Sequence, residues 1–495
     1  MEVELLVKNA TIATASDVIL DQQIAVKDGK IFLLGKDLSN IVNAKSTIDA
    51  FGAYVTPGGV DSHVHLHQDN APAGDNFETG TRSAIAGGTT TILAFASQKK
   101  TDESIIPVVE EYHRRASGNA YCDYGFHLIL SKPNATILEK ELPTLVKDGG
   151  ISSAKLYMTY ARLKLSDYEV LDIMNATRKL GMTTMIHAEN GDMIEFISEH
   201  LEKQRITGPY SHALSRPGIV EDEATYRAIS LSELMDIPLL IVHMSQKTAA
   251  SHVRNAQTRL LPIHAETCPH YLYLTSTRLK DPGDSGFAGA MCVCSPALRD
   301  DPMDLEAMWA GLNNGTFTTV ASDHAPDKYD HPQGKKAGLI DGKGHFRKIP
   351  NGLPGLETRM PLLFKGVLDG RISIQKFVEL NCSNPAKLYG MSDRKGTIAP
   401  GMDADLVIWY PVEGDKKMGS FALTNEMLHH DIDYTPFEGT EFANWPRYTI
   451  LRGKIVWDRD GVGLAGVKGD GQYLKRGSST LSKPRDIWVN DWRPS

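Results

Sequence analysis

The sequence predicts an α/β protein built around a TIM barrel, a closed ring of eight parallel strands with helices outside it. Between about residue 60 and about residue 325, short apolar runs alternate with segments of helical length. This alternation is typical of repeated βα units around a parallel sheet. Eight such units over a stretch of this length match a TIM barrel.

Eight apolar runs are candidates for the barrel strands, and helix-like stretches lie between them. The predicted strands are Val60–Leu66, Thr89–Phe95, Tyr124–Leu130, Ala154–Met158, Thr183–Ala188, Pro238–Met244, Leu261–Glu266 and Thr318–Ala321. The predicted helices include Asp167–Lys179, Glu221–Met235 and Pro302–Leu312. A rival architecture, the open doubly wound sheet, usually carries a glycine-rich phosphate loop after its first strand. Here Gly58-Gly59 precedes that strand, so the barrel is favoured.

Both ends of the chain are also rich in strand-like runs, which we expect to pair into one small β-sandwich domain beside the barrel. These runs are Val3–Val7, Val18–Val26, Lys30–Leu34, Asp405–Trp409 and Tyr448–Trp457. The predicted division assigns 1–55 and 395–460 to the sandwich, 56–394 to the barrel and 461–495 to an extended C-terminal arm. Trp488 and Trp492 in this arm would prefer burial, for instance against another subunit.

Composition narrows the classes of function. The chain has 495 residues and a formal net charge of −8, without a basic block that would favour nucleic acid or an anionic membrane. The five cysteines are scattered and form no CxxC pair, which argues against a disulfide framework and against a thiolate zinc site. No signal peptide and no apolar run of membrane-spanning length is evident. These features predict a cytoplasmic protein.

The first chemical motif is His63-Val64-His65, at the end of the first predicted barrel strand. In a strand, residues i and i+2 point to the same side, so both imidazoles can reach one ion. An isolated HxH pair is weak support for a metal site, because half-buried strand histidines are common. The other strand ends therefore decide the interpretation.

Four further polar side chains lie in or beside apolar strands, where a charge without a partner is strongly disfavoured. All would meet at the C-terminal face of the barrel, where TIM-barrel active sites occur. They are Lys155, His187, His243 and Asp323. Six such residues converging on one mouth favour a binuclear site, and imidazole and carboxylate ligands suit zinc.

Lys155 needs an explanation in such a site, because an ammonium group would be repelled by two cations. Burial and nearby cations favour its neutral amine, which can take up carbon dioxide to give a carbamate. The two oxygens of that N6-carboxylated lysine could bridge two ions. The alternative is a lysine whose stem packs in the protein and whose charge reaches solvent.

These residues stand within longer stretches that resemble the cyclic amidohydrolases, in the branch of dihydropyrimidinases and hydantoinases. The resemblance extends from about residue 3 to about residue 460, and it is the combination of stretches that makes it specific. The matching stretches are Pro57–His65, Ala86–Thr90, Lys155–Tyr160, His187–Asn190, Glu266–Leu272, Ser295–Arg299, Ser322–Pro326, Asn351–Gly355 and Gly396–Leu406.

The resemblance implies a role for each matching position and two Zn²⁺ ions per subunit. His63, His65 and Asp323 would bind the more buried ion, His187 and His243 the more exposed one, and carboxylated Lys155 would bridge them. The two ions would activate a water for attack on a ring carbonyl, and Asp323 would carry its proton to the leaving nitrogen. Tyr160 would donate to the developing oxyanion. Backbone groups of Ser295 and Asn351 would hold the ring amide.

The residues around the motifs favour a neutral ring as the substrate. Dihydroorotase places an arginine just after its HxH pair, whereas Leu66-His67-Gln68 follows here. Asp323-His324-Ala325-Pro326 resembles the dihydroorotase or allantoinase version of its motif, so these families stay in view. Tyr160, five positions after Lys155, favours dihydropyrimidinase or hydantoinase. Dihydrouracil and dihydrothymine are the first prediction, giving N-carbamoyl-β-amino acids; 5-substituted hydantoins or another neutral cyclic amide are the alternative.

A non-catalytic scaffold is the competing class, because some relatives of dihydropyrimidinase have lost their metal ligands. This chain keeps every ligand position, and burying such a cluster without metal would be costly. We therefore predict an enzyme that acts on a small cyclic amide. The resemblance further implies a homotetramer, with the C-terminal arm reaching a neighbouring subunit.

Overall fold

The computed structural model describes residues 1–281, 283, 286–489 and 492–493. At its centre, eight strands pair in sequence order and every pair is parallel. The strands are β1 (Gly59–Val64), β2 (Thr89–Ser97), β3 (Asp123–Ile129), β4 (Ser153–Tyr157), β5 (Thr183–His187), β6 (Leu239–Ile241), β7 (Ile263–Thr267) and β8 (Thr319–Val320). The ring closes where the His65 amide donates to the His324 carbonyl at 2.7 Å. The predicted TIM barrel is confirmed, and the open sheet is excluded.

Helices surround the ring in the alternating order that the sequence predicts. Their bounds are Phe77–Ala86, Ile106–Ala116, Leu142–Lys147, Asp167–Lys179, Gly191–Lys203, Ser211–Leu214, Gly218–Met235, Lys247–Thr258, Pro269–Tyr273, Pro302–Asn314, Arg359–Leu368, Ile374–Val378 and Asn384–Leu388. The Asp167–Lys179 helix has its predicted bounds because Ser166 and Glu169 form a capping box at its start. None of the described helices combines the length and the apolar character that a bilayer span requires.

A nine-stranded sheet stands beside the barrel and takes strands from both ends of the chain. Its strands are Glu2–Ala13, Val18–Lys27, Lys30–Gly35, Asn43–Asp49, Tyr54–Pro57, Leu406–Trp409, Pro446–Leu451, Lys454–Asp458 and Gly463–Leu464. Tyr54–Pro57 joins the two ends, because it pairs with Glu2–Ala13 on one side and with Leu406–Trp409 on the other. The predicted domain built from both termini is therefore present. The strand-like run at Tyr448–Trp457 is a hairpin, turned where Gly453 adopts a φ of 78°.

Within the described residues, two short two-stranded ladders are the remaining strands. Leu339–Ile340 pairs with Lys343–Gly344, and Phe421–Ala422 pairs with Glu441–Phe442. Both lie in connecting segments outside the barrel ring and the terminal sheet.

The C-terminal arm crosses the N-terminal face of its own barrel. Tyr124 at the start of β3 exchanges backbone hydrogen bonds with the arm, donating to Gln472 and accepting from Leu474 at 2.9 and 2.8 Å. Further along, Trp488 packs under the guanidinium of Arg178, 4.3 Å from the ring centre. The arm therefore has a binding surface within the subunit, and its predicted contact with a neighbouring subunit stays a prediction.

Candidate active site

The six predicted metal ligands lie at one mouth of the barrel, each in or just after a strand. The C-terminal ends of parallel strands meet there, so residues far apart in sequence become neighbours. His63 belongs to β1 and His65 follows it, Lys155 lies in β4, His187 ends β5, His243 follows β6 and Asp323 follows β8.

The donor atoms of this group converge. Asp323 Oδ1 lies 3.0 Å from His63 Nε2 and 3.5 Å from His65 Nε2. Lys155 Nζ lies 2.6 Å from the same His63 Nε2. Ligand atoms of His63, His243 and Asp323 lie within 4.8 Å of one another, close enough to hold one metal ion.

His187 lies next to His243, with the two ring centres 4.4 Å apart. Its Nε2 lies 2.8 Å from Glu189 Oε2, which leaves Nδ1 available to a metal. The Tyr157 ring stacks on the ring of His187, with the ring centres 5.3 Å apart. The arrangement thus offers a second group of nitrogen ligands next to the first.

The electrostatics suit a metal site. Burial lowers the pKa of His65 to about 4 and that of His243 well below its usual value, so both rings are neutral with lone pairs to share. Burial alone would raise the pKa of Asp323, but the attraction of His63 and neighbouring histidines holds it well below the ordinary value. Asp323 is therefore ionised. Neutral imidazoles beside an ionised carboxylate form a donor set that fits zinc.

Lys155 is buried, with 1 % of its surface exposed, and burial lowers its pKa to about 8. Its Nζ lies 4.5 Å from the centre of the Phe95 ring and 5.0 Å from that of Tyr157. The side chain therefore does not reach solvent, contrary to the alternative that its charge does so. An amine that loses its proton near neutral pH is the form that reacts with carbon dioxide.

The backbone turns sharply at three of these positions. His243, Asp323 and Tyr160 have positive φ values of 40°, 45° and 65°. Such values are uncommon for residues other than glycine and concentrate at functional sites. β6 and β8 are shorter than the predicted runs Pro238–Met244 and Thr318–Ala321, and both strands end before the chain reaches His243 and Asp323.

The predicted substrate-holding residues occupy one side of the same cleft. Tyr160, Ser295 and Asn351 all line it, together with Lys155 and Asp323. Burial raises the pKa of Tyr160, and the side chains of Ser295 and Asn351 lie close enough to lower it in turn. The hydroxyl is thus protonated at neutral pH and able to donate. The cleft has a volume of about 1070 Å³, enough for a ring and its substituent.

Two carboxylates at the site had no role in the sequence interpretation. Glu266, at the end of β7, places Oε1 2.7 Å from His63 Nδ1. Glu189 holds His187, and Arg216 Nε approaches the second oxygen of Glu189 at 3.5 Å. The signal that could have found Glu266 is the one used for Asp323, a carboxylate at the C-terminal end of an apolar strand. Each carboxylate contacts a ring nitrogen of a predicted ligand, so it can orient that ring and favour one tautomer.

Comparison with known proteins agrees with this geometry. The Amidohydrolase family model matches residues 54–456. A D-hydantoinase of Ralstonia pickettii is 39 % identical over 476 residues, covering 96 % of this chain and 99 % of its own. A D-phenylhydantoinase of Escherichia coli O1:K1 / APEC is 37 % identical over 476 residues, covering 95 % and 98 %.

A solved structure gives the same result. The crystal structure of dihydropyrimidinase from Brevibacillus agri NCHU1002 superposes with a TM-score of 0.89 at 37 % identity, covering 96 % of this chain and 99 % of that one. The amidohydrolase family is metal-dependent, and His63, His243 and Asp323 form a group able to hold a metal. The chain belongs to the amidohydrolase family and is a cyclic amide hydrolase of the hydantoinase and dihydropyrimidinase type.

Proposed function

We propose that the protein opens the rings of 5,6-dihydrouracil and 5,6-dihydrothymine to N-carbamoyl-β-amino acids. The observation that carries this proposal is Tyr160, which follows Lys155 by five residues and shares its cleft with Ser295 and Asn351. Leu66-His67-Gln68 offers no arginine or lysine directly after the HxH pair to hold a substrate carboxylate. A neutral ring therefore suits the site better than dihydroorotate.

Hydantoins are the second candidate substrates, because several relatives carry that activity in their names. The Ralstonia pickettii and Escherichia coli proteins are named for D-hydantoins, whereas the Brevibacillus agri protein is named for dihydropyrimidines. All three resemble this chain to a similar degree. The choice between the two rings therefore has to come from measured turnover.

We further propose that the site holds two zinc ions. His63, His65 and Asp323 would hold one ion, His187 and His243 the other, and Lys155 would bridge them after carboxylation. When bound, the ions would lower the pKa of water and place positive charge beside the substrate carbonyl. The fit rests on two distances to His63 Nε2, which lies 3.0 Å from Asp323 Oδ1 and 2.6 Å from Lys155 Nζ.

The side chains and backbone of this protein would then transfer the proton, stabilise the developing negative charge and orient the ring. Asp323 would accept the proton of the attacking water and deliver it to the ring nitrogen, acting first as base and then as acid. The Tyr160 hydroxyl would donate to the oxygen of the carbonyl as negative charge develops there. Backbone groups of Ser295 and Asn351 would fix the orientation of the ring amide.

One experiment tests both parts of the proposal. Purified protein is assayed with dihydrouracil, dihydrothymine, hydantoin, allantoin and dihydroorotate, and its metal content is measured in parallel. We expect the highest kcat/KM with the dihydropyrimidines and about two zinc ions per subunit. Faster turnover of allantoin or dihydroorotate would contradict the assignment of Tyr160. If the protein contains no zinc and opens none of these rings, the result would instead support the non-catalytic scaffold class.

We also propose the division into segments 1–55, 56–394, 395–460 and 461–495, and a homotetrameric assembly. The terminal sheet supports this division in outline, because its strands come from both ends of the chain. Of its strands, Tyr54–Pro57 extends across the proposed boundary at 55/56, and Gly463–Leu464 lies beyond the one at 460/461. Light scattering coupled to size exclusion gives the subunit number directly, and a monomer or dimer at micromolar concentration would exclude the tetramer.

A further inference from the structure

Asp327 is a buried carboxylate in the substrate cleft that the proposed mechanism does not use. It follows Asp323 by four residues, on the segment after β8, and lines the cleft. Only 4 % of the residue is exposed. Its Oδ1 atom has no hydrogen-bond partner among the residues that the structure describes. A buried polar group is costly unless it is paired, so a hydrogen-bond donor on a ligand in the cleft would stabilise this carboxylate.

The nearest buried cation is not free to serve as that partner. Lys335 donates from Nζ to the carbonyls of Val293, Pro350 and Gly352 at 3.0, 2.7 and 2.6 Å. An ammonium has three protons, so these contacts use all of its donors. Lys335 acts on Asp327 through its charge without a hydrogen bond. It also ties the surroundings of Asp327 to the loop that carries Asn351.

A cation lies within the same part of the cleft. Arg162 follows Tyr160 by two residues and also lines the cleft. The side-chain oxygen of Asn70 accepts hydrogen bonds from both terminal nitrogens of Arg162 at 3.2 and 3.0 Å. Arg162 is close enough to act on Asp327 through its charge. One region of the cleft thus presents a hydrogen-bond acceptor and a set of donors together.

From this geometry we infer that Asp327 selects ring substituents that carry an N–H or O–H donor, while Arg162 binds a carbonyl beside that donor. A carboxamide substituent has both groups, so it is the class that fits. An isobutyl or phenyl substituent would leave the Asp327 carboxylate unpaired and exclude water from it. The inference rests on the proposed ring-opening function, because it names the substituent for that same site.

Two hydantoins of nearly equal shape test this selectivity. One carries a carbamoylmethyl group at position 5, and the other carries an isobutyl group, which replaces the amide by hydrocarbon. Burial raises the pKa of Asp327 to about 7, so the carboxyl group is only partly charged near neutral pH. In the wild-type protein we therefore expect kcat/KM to favour the amide by about threefold to tenfold, the usual value of one hydrogen bond. Equal values, or a preference for isobutyl, would overturn the inference.

Variants then assign the preference to Asp327. Asp327→Leu removes the acceptor, and we expect the ratio between the two substrates to fall to about one or below. Asp327→Asn keeps the shape and one acceptor oxygen, so its ratio should lie between those of the other two proteins. The matched control is Asp69→Asn, because Asp69 lines the same cleft but already pairs with Lys99 and Arg115 at 2.6 Å each. The control should keep the wild-type ratio.

The outcomes separate this inference from the proposed function. If the wild-type protein opens rings but does not distinguish the two substituents, the inference fails alone. If it opens no ring, the proposed function fails, and calorimetric binding of the two hydantoins still tests the preference. If Asp327→Leu does not fold, the substrate ratios of the wild-type protein and of Asp327→Asn still test the inference. A ratio that is equal in the wild-type protein and Asp327→Asn would count against Asp327.

Discussion

Glu266 contacts His63 at the ring nitrogen that does not face Lys155 and Asp323. Its Oε1 lies 2.7 Å from His63 Nδ1, and both side chains are fully buried. The contact favours the tautomer of His63 that carries its proton on Nδ1, facing the carboxylate, and has a lone pair on Nε2. That nitrogen is the one that meets Lys155 and Asp323. A carboxylate from β7 thus determines which atom of a β1 histidine a metal can bind.

We predict that Glu266→Gln weakens zinc binding by about tenfold to a hundredfold, as loss of such an orienting partner does in other zinc sites. The neutral amide no longer strengthens the basicity of His63, and it can turn its nitrogen toward the ring. Competition with a chromogenic chelator measures the affinity. The control is Glu306→Gln, because Glu306 pairs with Arg371 at the surface. Equal affinity in the two variants would show that Glu266 has no such role.

We predict that Tyr160→Phe lowers kcat/KM by about a hundredfold to a thousandfold, the usual cost of removing one donor to an oxyanion. The loss should fall on kcat, because the hydroxyl acts when charge develops and the ring of the residue remains. Steady-state kinetics with dihydrouracil gives both constants. Tyr168→Phe is the control, since Tyr168 is 74 % exposed. A rise in KM with unchanged kcat would point to substrate binding instead.

The site residues at the strand ends were predictable, because each is a polar group in an apolar run, where burial without a partner costs free energy. His187 and His243 follow such runs, and the rule that parallel strands end at one face brings them together. Glu266 obeys the same rule but was not assigned, because its function depends on a partner in another strand. The geometry of that pairing depends on the register of the closed ring, which the sequence pattern does not contain.

Two other features could not be predicted from the sequence. The positive φ at Asp323 could not be predicted, because the residues before it have an ordinary strand pattern and the sequence does not mark where the backbone turns. The position of the C-terminal arm depends on the shape of the barrel floor. Arg476 illustrates this, since its buried guanidinium donates to Ser153 Oγ at 3.0 Å although more than three hundred residues separate them. Only the folded barrel brings the two together.

We predict that Lys395→Met destabilises the protein by about 3–5 kcal/mol, the usual cost of removing one partner from a buried ion pair. Lys395 is 1 % exposed, and its Nζ contacts Asp123, Asp405 and Asp403 at 2.7, 2.7 and 3.1 Å. The substitution removes the cation that joins the start of β3 to the terminal sheet. Urea denaturation measures the loss.

The matched control for this prediction is Lys454→Met. Lys454 pairs with Asp470 at 2.7 Å, but its side chain is 49 % exposed. Surface ion pairs contribute about 1 kcal/mol or less. Similar urea midpoints for the two variants would mean that the buried cluster contributes no more than a surface pair.

The last prediction concerns pH and His127, which is fully buried between Ser153 Oγ at 2.5 Å and the Ser62 carbonyl at 3.0 Å. Burial holds the pKa of His127 well below 6.5. Below that pH the unfolded chain binds a proton there and the folded chain does not, so stability must fall as pH falls. We expect His127→Gln to flatten the dependence of the urea midpoint on pH between about 7.5 and 5. His200→Gln, at an exposed position, should keep the wild-type slope, and a wild-type slope in His127→Gln would rule out His127 as its source.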